Sequence, residues 1–312
     1  GVAWWPKSVK GAVARALLSD AEVASKLGRK LISDLAPHVN VNGLRTTGDY
    51  GDIISSPHDL KVFAKYAAKG RWAERVAHVV GAFFDARGGG SYIDIGANIG
   101  LTTIPIARRG NVSCLAAEPD PTNFRNLTAN VALNCPHGKV TLHQRAIFDR
   151  DDLLDFELCE GNLGDHRIRA SAARPGALGE DKRKVVQVKA TTLDGVVSDA
   201  GSPLAVKIDT QGCEPFVFDG GRRTLAKAEL IHFEWWPYST RRLNGDPRIV
   251  TEFLLEHFRS GQVVGGEAAD QGDDVPIADL CDQLLAHFER SQHEPMTYFD
   301  AIVKKELMVA RA

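Results

Sequence analysis

An open α/β sheet, mostly parallel and wound with helices on both faces, is the fold class this sequence predicts, and three observations predict it. A short apolar run, Tyr92-Ile93-Asp94-Ile95, leads into Gly96 and Gly100, the pattern of a buried parallel strand turning into a helix at a ligand site. Strand-like and helix-like runs alternate from there to the C-terminus, as in successive βαβ units. Acids close several of the apolar runs, Glu118, Asp209 and Glu234 among them. That places them at the carboxyl edge of the sheet, where open α/β folds hold ligands.

Composition sets wide bounds. The chain has 312 residues, 44% of them hydrophobic and 25% charged, enough to bury a sizeable core in one large domain with extensions. Its 38 Lys and Arg against 40 Asp and Glu leave a net charge of −2, which carries no electrostatic footprint for nucleic acid. Five widely spaced cysteines without a C-x-x-C pair argue for reduced thiols in a cytoplasm over zinc or redox work. No apolar run approaches the roughly 18 residues of a membrane span, so neither membrane anchor nor signal peptide is expected.

Two parts are expected, an N-terminal helical extension over 1–87 and a cofactor domain over 88–312. Residues 9–18 and 21–31 carry apolar side chains at helical spacing, with Ser19 and Glu22 as a capping box. Trp4 and Trp5 read as a hydrophobic plug or a partner contact, and the helices offer a homodimer surface. Residues 46–56 read as turns or a short hairpin, and 57–87 as helix until three glycines stop it. Beyond the first strand, 112–117, 140–147, 156–158, 185–190, 204–208, 228–236, 262–264 and 297–303 read as strands. Helices are expected over 122–133, 213–225, 246–259 and 276–290.

The loop after the first strand departs from the dinucleotide pattern G-x-G-x-x-G, because Asp94 stands where the first glycine would be. An acid facing the loop repels a pyrophosphate and attracts a cation, which favours S-adenosylmethionine over a dinucleotide. Glu118, about 20 residues on, suits the two ribose hydroxyls. The expected cofactor contacts are Asp94, Gly96, Ala97, Asn98, Gly100, Glu118 and Pro119.

Four segments carry a resemblance: DIGANIGLTT (94–103), AAEPDPTNFRNLTANVALN (116–134), TTLDGV (191–196) and KIDTQGCEPFVFDGG (207–221). In this order they resemble the FkbM-type family of class I S-adenosylmethionine-dependent methyltransferases. The resemblance implies a Rossmann-like doubly wound sheet with an antiparallel last strand. It also implies adenine contacts at Arg145, Ala146 and Ile147, and leading helices that cover the cleft and bring Asp49, Tyr50 and His58 near the ligands. One departure is Gln211, where the family often carries Glu.

For chemistry at a hydroxyl, a proton must be taken. The candidates are Asp209 and Glu234 on the ligand edge, with His166 arriving from a long segment, 161–184, that would act as a lid. Asp209 would alternatively bind the cofactor's amino group, or pair with Glu234 to hold a divalent cation such as magnesium. The expected activity is O-methylation of a small molecule or glycan. An RNA methyltransferase, or an inactive cofactor-binding partner protein with Trp4, Trp5, Trp235 and Trp236 as interface anchors, are the alternatives.

Overall fold

A computed structural model describes residues 43–170, 176–265, 273–291 and 294–306. The helices expected over 9–18 and 21–31, with Trp4 and Trp5, lie outside the described residues.

The described chain opens with a hairpin of β1 (Leu44–Gly48) and β2 (Gly51–Ser55). The single helix expected over 57–87 is two, Val62–Lys69 and Glu74–Arg87. Gly70 at φ 73° and Ala73 at φ 45° turn the backbone left-handed between them, which ends the first helix.

Next come β3 (Gly90–Ile95), β4 (Val112–Ala117) and β5 (Lys139–His143). Four strands follow: β6 (Ala146–Phe148), β7 (Asp152–Leu158), β8 (Arg167–Ile168) and β9 (Lys184–Thr192). The chain ends on β10 (Leu204–Ile208), β11 (Leu230–Trp235), β12 (Ser260–Gly265), β13 (Val275–Pro276) and β14 (Phe299–Lys304).

Eight of these form the central sheet, in the order β13-β12-β14-β11-β10-β3-β4-β5. From β5 to β11 the neighbours are parallel, and β14 runs antiparallel between β11 and β12. Chain order proceeds outward from β3 in one direction and from β10 in the other, so the switch point lies between these two strands. Ligands of doubly wound sheets bind there, at the carboxyl ends.

Both faces of the sheet are buried, which is why β10 reads Leu-Ala-Val-Lys-Ile without polar alternation. Ile93, Val206, Ile231 and Phe233 pack with Phe218, Phe253 and Leu284 from the helices Glu214–Gly220, Pro247–His257 and Ile277–Arg290. Their strand neighbours Tyr92, Ala205 and Leu230 pack the other way, with Phe84 and Val80 of Glu74–Arg87 and Leu127 of Pro121–Asn134. Trp235 and Trp236 are buried, donating to Leu284 O and Pro295 O. They are core residues, not interface anchors.

Three expectations need correction. Residues 98–103 form turns, and helix begins only at Ile104 and lasts to Ala107; no long helix starts at Gly100. The strand expected over 140–147 is cut after His143, and Ala146–Phe148 joins a second sheet of order β6-β9-β7-β8. That sheet lies against the helix Glu214–Gly220, where a Cβ on Gly220 would come within 2.1 Å of Phe148 O. The helix expected over 213–225 is broken at Gly221 into Glu214–Gly220 and Arg222–Leu225.

Within the segment expected to act as a lid, the described residues 176–184 are tied down at Glu180. Its carboxylate accepts from the Tyr238 hydroxyl and Leu178 N at 2.8 Å each and pairs with Arg242 at 3.5 Å. Arg167, 2% exposed, pairs with Asp165 and Glu157 and lies over the Trp236 ring. Among the described residues, no helix is long and apolar enough to cross a membrane.

Candidate active site

The switch point opens into a cavity of about 1120 Å³. Gly96, Ala97, Asn98, Glu118, Pro119, Arg145, Ala146 and Ile147 line one part of it. Asp209, Gln211, His232, Glu234 and Asp300 line another. The segment from Asn162 to His166 and the helices Val62–Lys69 and Glu74–Arg87 also contribute walls.

The loop after β3 is held from three sides. Gly96 N and Ala97 N both donate to Ala117 O at 3.0 Å, and Lys207 Nζ donates to Gly96 O at 2.7 Å. At Gly96, φ is 77° and a Cβ would lie 1.9 Å from Asp209 O, so only glycine lets the loop touch the end of β10. Asn98 also has positive φ, 51°, a conformation asparagine tolerates better than most side chains. Its backbone N donates to Glu118 Oε2 at 2.9 Å, and its Nδ2 to Leu163 O at 3.0 Å. Asn123 Nδ2 donates to the same carbonyl at 2.9 Å. The segment beyond β7 is therefore latched to the cofactor loop.

Glu118 is buried, its Oε1 accepting from Asp120 N at 2.9 Å and its Oε2 from Asn98 N. Burial dominates these favourable amides and pushes its pKa up to about 8. A carboxylate has about four acceptor sites, so two remain for a pair of hydroxyls. With the apolar Ala97, Ile99, Ala146 and Ile147 lining the same cavity, this donor set fits an adenosine. The 96–98 loop, Glu118 and residues 145–147 are the groups that would hold S-adenosylmethionine here.

Asp94 does not face that space. It is fully buried, accepting from the Thr102 and Thr103 hydroxyls at 2.6 Å each and pairing with Lys207 at 3.3 Å. Lys207 also approaches Asp209 at 3.6 Å; burial pulls its pKa down, but the two acids prevail and hold it above the usual lysine value. Asp94 is thus an anchor for the loop and for Lys207, and the anticipated direct attraction of a cationic ligand does not apply. Gly100 is likewise absent from the cavity wall; at φ 94°, its missing Cβ spares Leu127, which would lie at 2.8 Å. Asp49, Tyr50 and His58 do not line the cavity either. Tyr50 is buried, its hydroxyl donating to Trp72 O.

On the acid side, Gln211 Nε2 donates to Asp209 Oδ1 at 2.8 Å and to Glu234 Oε2 at 3.0 Å. Burial, then the charges of Asp209 and Glu214, push Glu234 well above the usual carboxylate range. The amide occupies the place between the two carboxylates that a shared cation would need, and among the described residues no group of three or more His, Cys, Asp or Glu could hold a metal. The divalent-cation expectation loses its ligand pair on this geometry. Glu214 caps the turn, accepting from Thr210 N and Oγ1 at 2.9 Å.

His166 lines the cavity, but its Nδ1 accepts from Cys159 N at 2.9 Å. Such a bond leaves the ring proton on Nε2, and burial lowers the pKa. The imidazole is therefore poised to donate toward the cavity, which does not suit the anticipated proton acceptor. Sequence reasoning missed His232, Asp300 and Asn123. Period-two alternation from Glu234 back to His232 was the available signal.

An open parallel sheet in this strand order, with a glycine loop and a ribose-type acid at its switch point, defines a class I S-adenosylmethionine-dependent methyltransferase. Residues 94–258, more than half of the chain, match the Methyltransferase FkbM domain. The chain belongs to the FkbM methyltransferase family. No curated protein matches the sequence. Among solved structures, the chain is similar to EvdMO1, with 12% identity, TM-score 0.34, and coverage of 75% of this chain and 42% of that one. It is similar to the Pyrococcus abyssi tRNA (uracil-54, C5)-methyltransferase in complex with S-adenosyl-L-homocysteine, with 12% identity, TM-score 0.40, and coverage of 85% and 44%. For a SAM-dependent methyltransferase from Agrobacterium tumefaciens the values are 9%, 0.42, 85% and 71%. The chain thus spans less than half the length of the first two.

Proposed function

We propose that the chain is an O-methyltransferase acting on a hydroxyl of a small molecule or glycan. The observation that carries this is the pairing, in one cavity, of a cofactor-shaped wall with two acids at the ends of β10 and β11, Asp209 and the buried Glu234, bridged by the Gln211 amide. When bound, S-adenosylmethionine supplies an electrophilic methyl group. The chain's own work is alignment and proton management. Glu118 receives the ribose hydroxyls, and Asp209, partly exposed toward the cavity, receives either the cofactor's amino group or the acceptor. Glu234, its pKa raised by burial and then by Asp209 and Glu214, hydrogen-bonds the acceptor oxygen and orients it. His166 donates from its Nε2 to close the wall.

The near-balanced charge supports a small acceptor over nucleic acid. Incubation with methyl-labelled S-adenosylmethionine and a panel of methyl glycosides and phenols, followed by NMR of the product, tests the reading. A methyl ether is expected. Methyl groups found only on nitrogen or carbon would overturn it.

A further inference from the structure

His232 sits on β11 beside Lys207 of β10 in register and two residues before Glu234, so both side chains project from the same face of the strand. It is 3% exposed, lines the cavity, and among the described residues neither ring nitrogen has a hydrogen-bond partner. A buried polar group without a partner is costly, and a purely structural imidazole would be expected to have found one. One carboxylate stands close: Asp300 Oδ2 on β14, 3.5 Å from Nε2. Lys207, one strand away, touches the cofactor loop at Gly96 O, and neighbouring strands lie only about 4.8 Å apart.

We propose that His232, oriented by Asp300, takes the proton from the acceptor hydroxyl. The inference rests on the O-methylation reading. Asp300 draws the ring's N–H to Nε2 and leaves the Nδ1 lone pair without a partner, the base-and-orienter arrangement of acid–base sites. In the step, the acceptor oxygen forms its bond to the methyl carbon, the carbon–sulfur bond breaks with its electron pair kept by sulfur, and the hydroxyl proton passes to His232. Asp300 is a positioning residue, since it acts through the imidazole. The charged groups lining the same cavity around His232 are Lys207 and Asp209 from β10, Glu234 from its own strand, Asp300 from β14, and Arg75 with His78 from the helix Glu74–Arg87.

The test uses ring-labelled histidine in the protein saturated with S-adenosylhomocysteine, the His232 signal being assigned by its loss in His232→Gln. The ring nitrogens are expected to report the Nε2–H tautomer, and Asp300→Asn to shift the balance toward Nδ1–H. With methyl glycosides as acceptors, His232→Gln should lower kcat by about 100-fold or more, leave S-adenosylhomocysteine affinity within about twofold, and His232→Ala should be rescued by added imidazole. A ring already in the Nδ1–H tautomer, or one indifferent to Asp300→Asn, overturns the proposal even if no glycoside is methylated. So does wild-type turnover in His232→Gln. Failure of O-methylation itself is seen separately, as a wild-type product carrying no methyl ether.

Discussion

Gln211 donates its side-chain amide to Glu234 Oε2 at 3.0 Å, and the same nitrogen reaches Asp209 Oδ1 at 2.8 Å. Its backbone is left-handed, φ 57°, and Ser239 Oγ donates to its carbonyl, so the amide is fixed between the acids.

Gln211→Glu would replace that donor by a third carboxylate. The cost expected at neutral pH is about 1 to 3 kcal/mol, the range for removing a partner from a buried polar group. Crowding raises the carboxyl pKa values in the folded state, so the variant should recover stability as pH falls and lose it as pH rises. Magnesium should restore part of it by bridging the acids. Urea unfolding at pH 5.5 and 8, with and without magnesium chloride, measures this; curves superimposable on wild type would remove the bridging role.

Glu118 ties cofactor affinity to pH. With its pKa pushed up to about 8 by burial, it holds a proton at neutral pH in the ligand-free protein. Ribose hydroxyls donate best to the ionised form, so S-adenosylhomocysteine affinity should rise from pH 6.5 toward pH 8.5 and level off above. Calorimetry in buffers of different ionisation enthalpy should show proton release on binding at pH 7. Glu118→Gln should abolish the pH dependence and weaken binding by about 1.5 to 3 kcal/mol.

Asp94→Asn should act on stability first. It removes the nearest counter-charge of Lys207, whose side chain is 4% exposed, and breaking a buried ion pair from one side costs roughly 3 to 5 kcal/mol. A fall in the urea midpoint is expected, with the double variant Asp94→Asn, Lys207→Met recovering part of it. If the single variant unfolds like wild type, Asp94 does not anchor the loop.

Glu180→Gln should loosen the chain around the second sheet. The carboxylate's pKa is lowered despite burial, mainly by the Tyr238 hydroxyl and the backbone amides it accepts from; its contribution is therefore present at neutral pH and lost as pH falls through the folded value. Faster hydrogen exchange over 176–192 is expected, against little change in β3 and β10. Uniform exchange across the chain would show that the residue matters only globally.

The strand Val112–Ala117 and the strand Leu204–Ile208 were legible as written, because strands buried on both faces need continuous apolar runs and little else. Asp246 before Pro247 marked a helix start for the same local reason and caps it, and Asp120 before Pro121 caps another in the same way. Gly96, Asn98 and Glu118, which line the cavity, were legible because a tight loop and a strand-end acid have local signatures. Asp94 was misread from equally local information. Its neighbours Thr102, Thr103 and Lys207 come from 8, 9 and 113 residues away, and only packing decides whether an acid meets them or the ligand.

The sequence by itself determined the central strands, the glycine turn after β3 and the acids at the strand ends, since periodicity, glycine and proline act over a few residues and leave a readable pattern. Tertiary structure alone decided which way the polar side chains face: that Gln211 bridges two acids, that Cys159 N turns His166 into a donor, and that Asp300 comes to His232 from a strand 68 residues further on. Strand alternation tells that two side chains share a face, but which strands lie side by side is set by the burial of whole elements, and no local pattern encodes the distance between groups so far apart in the chain.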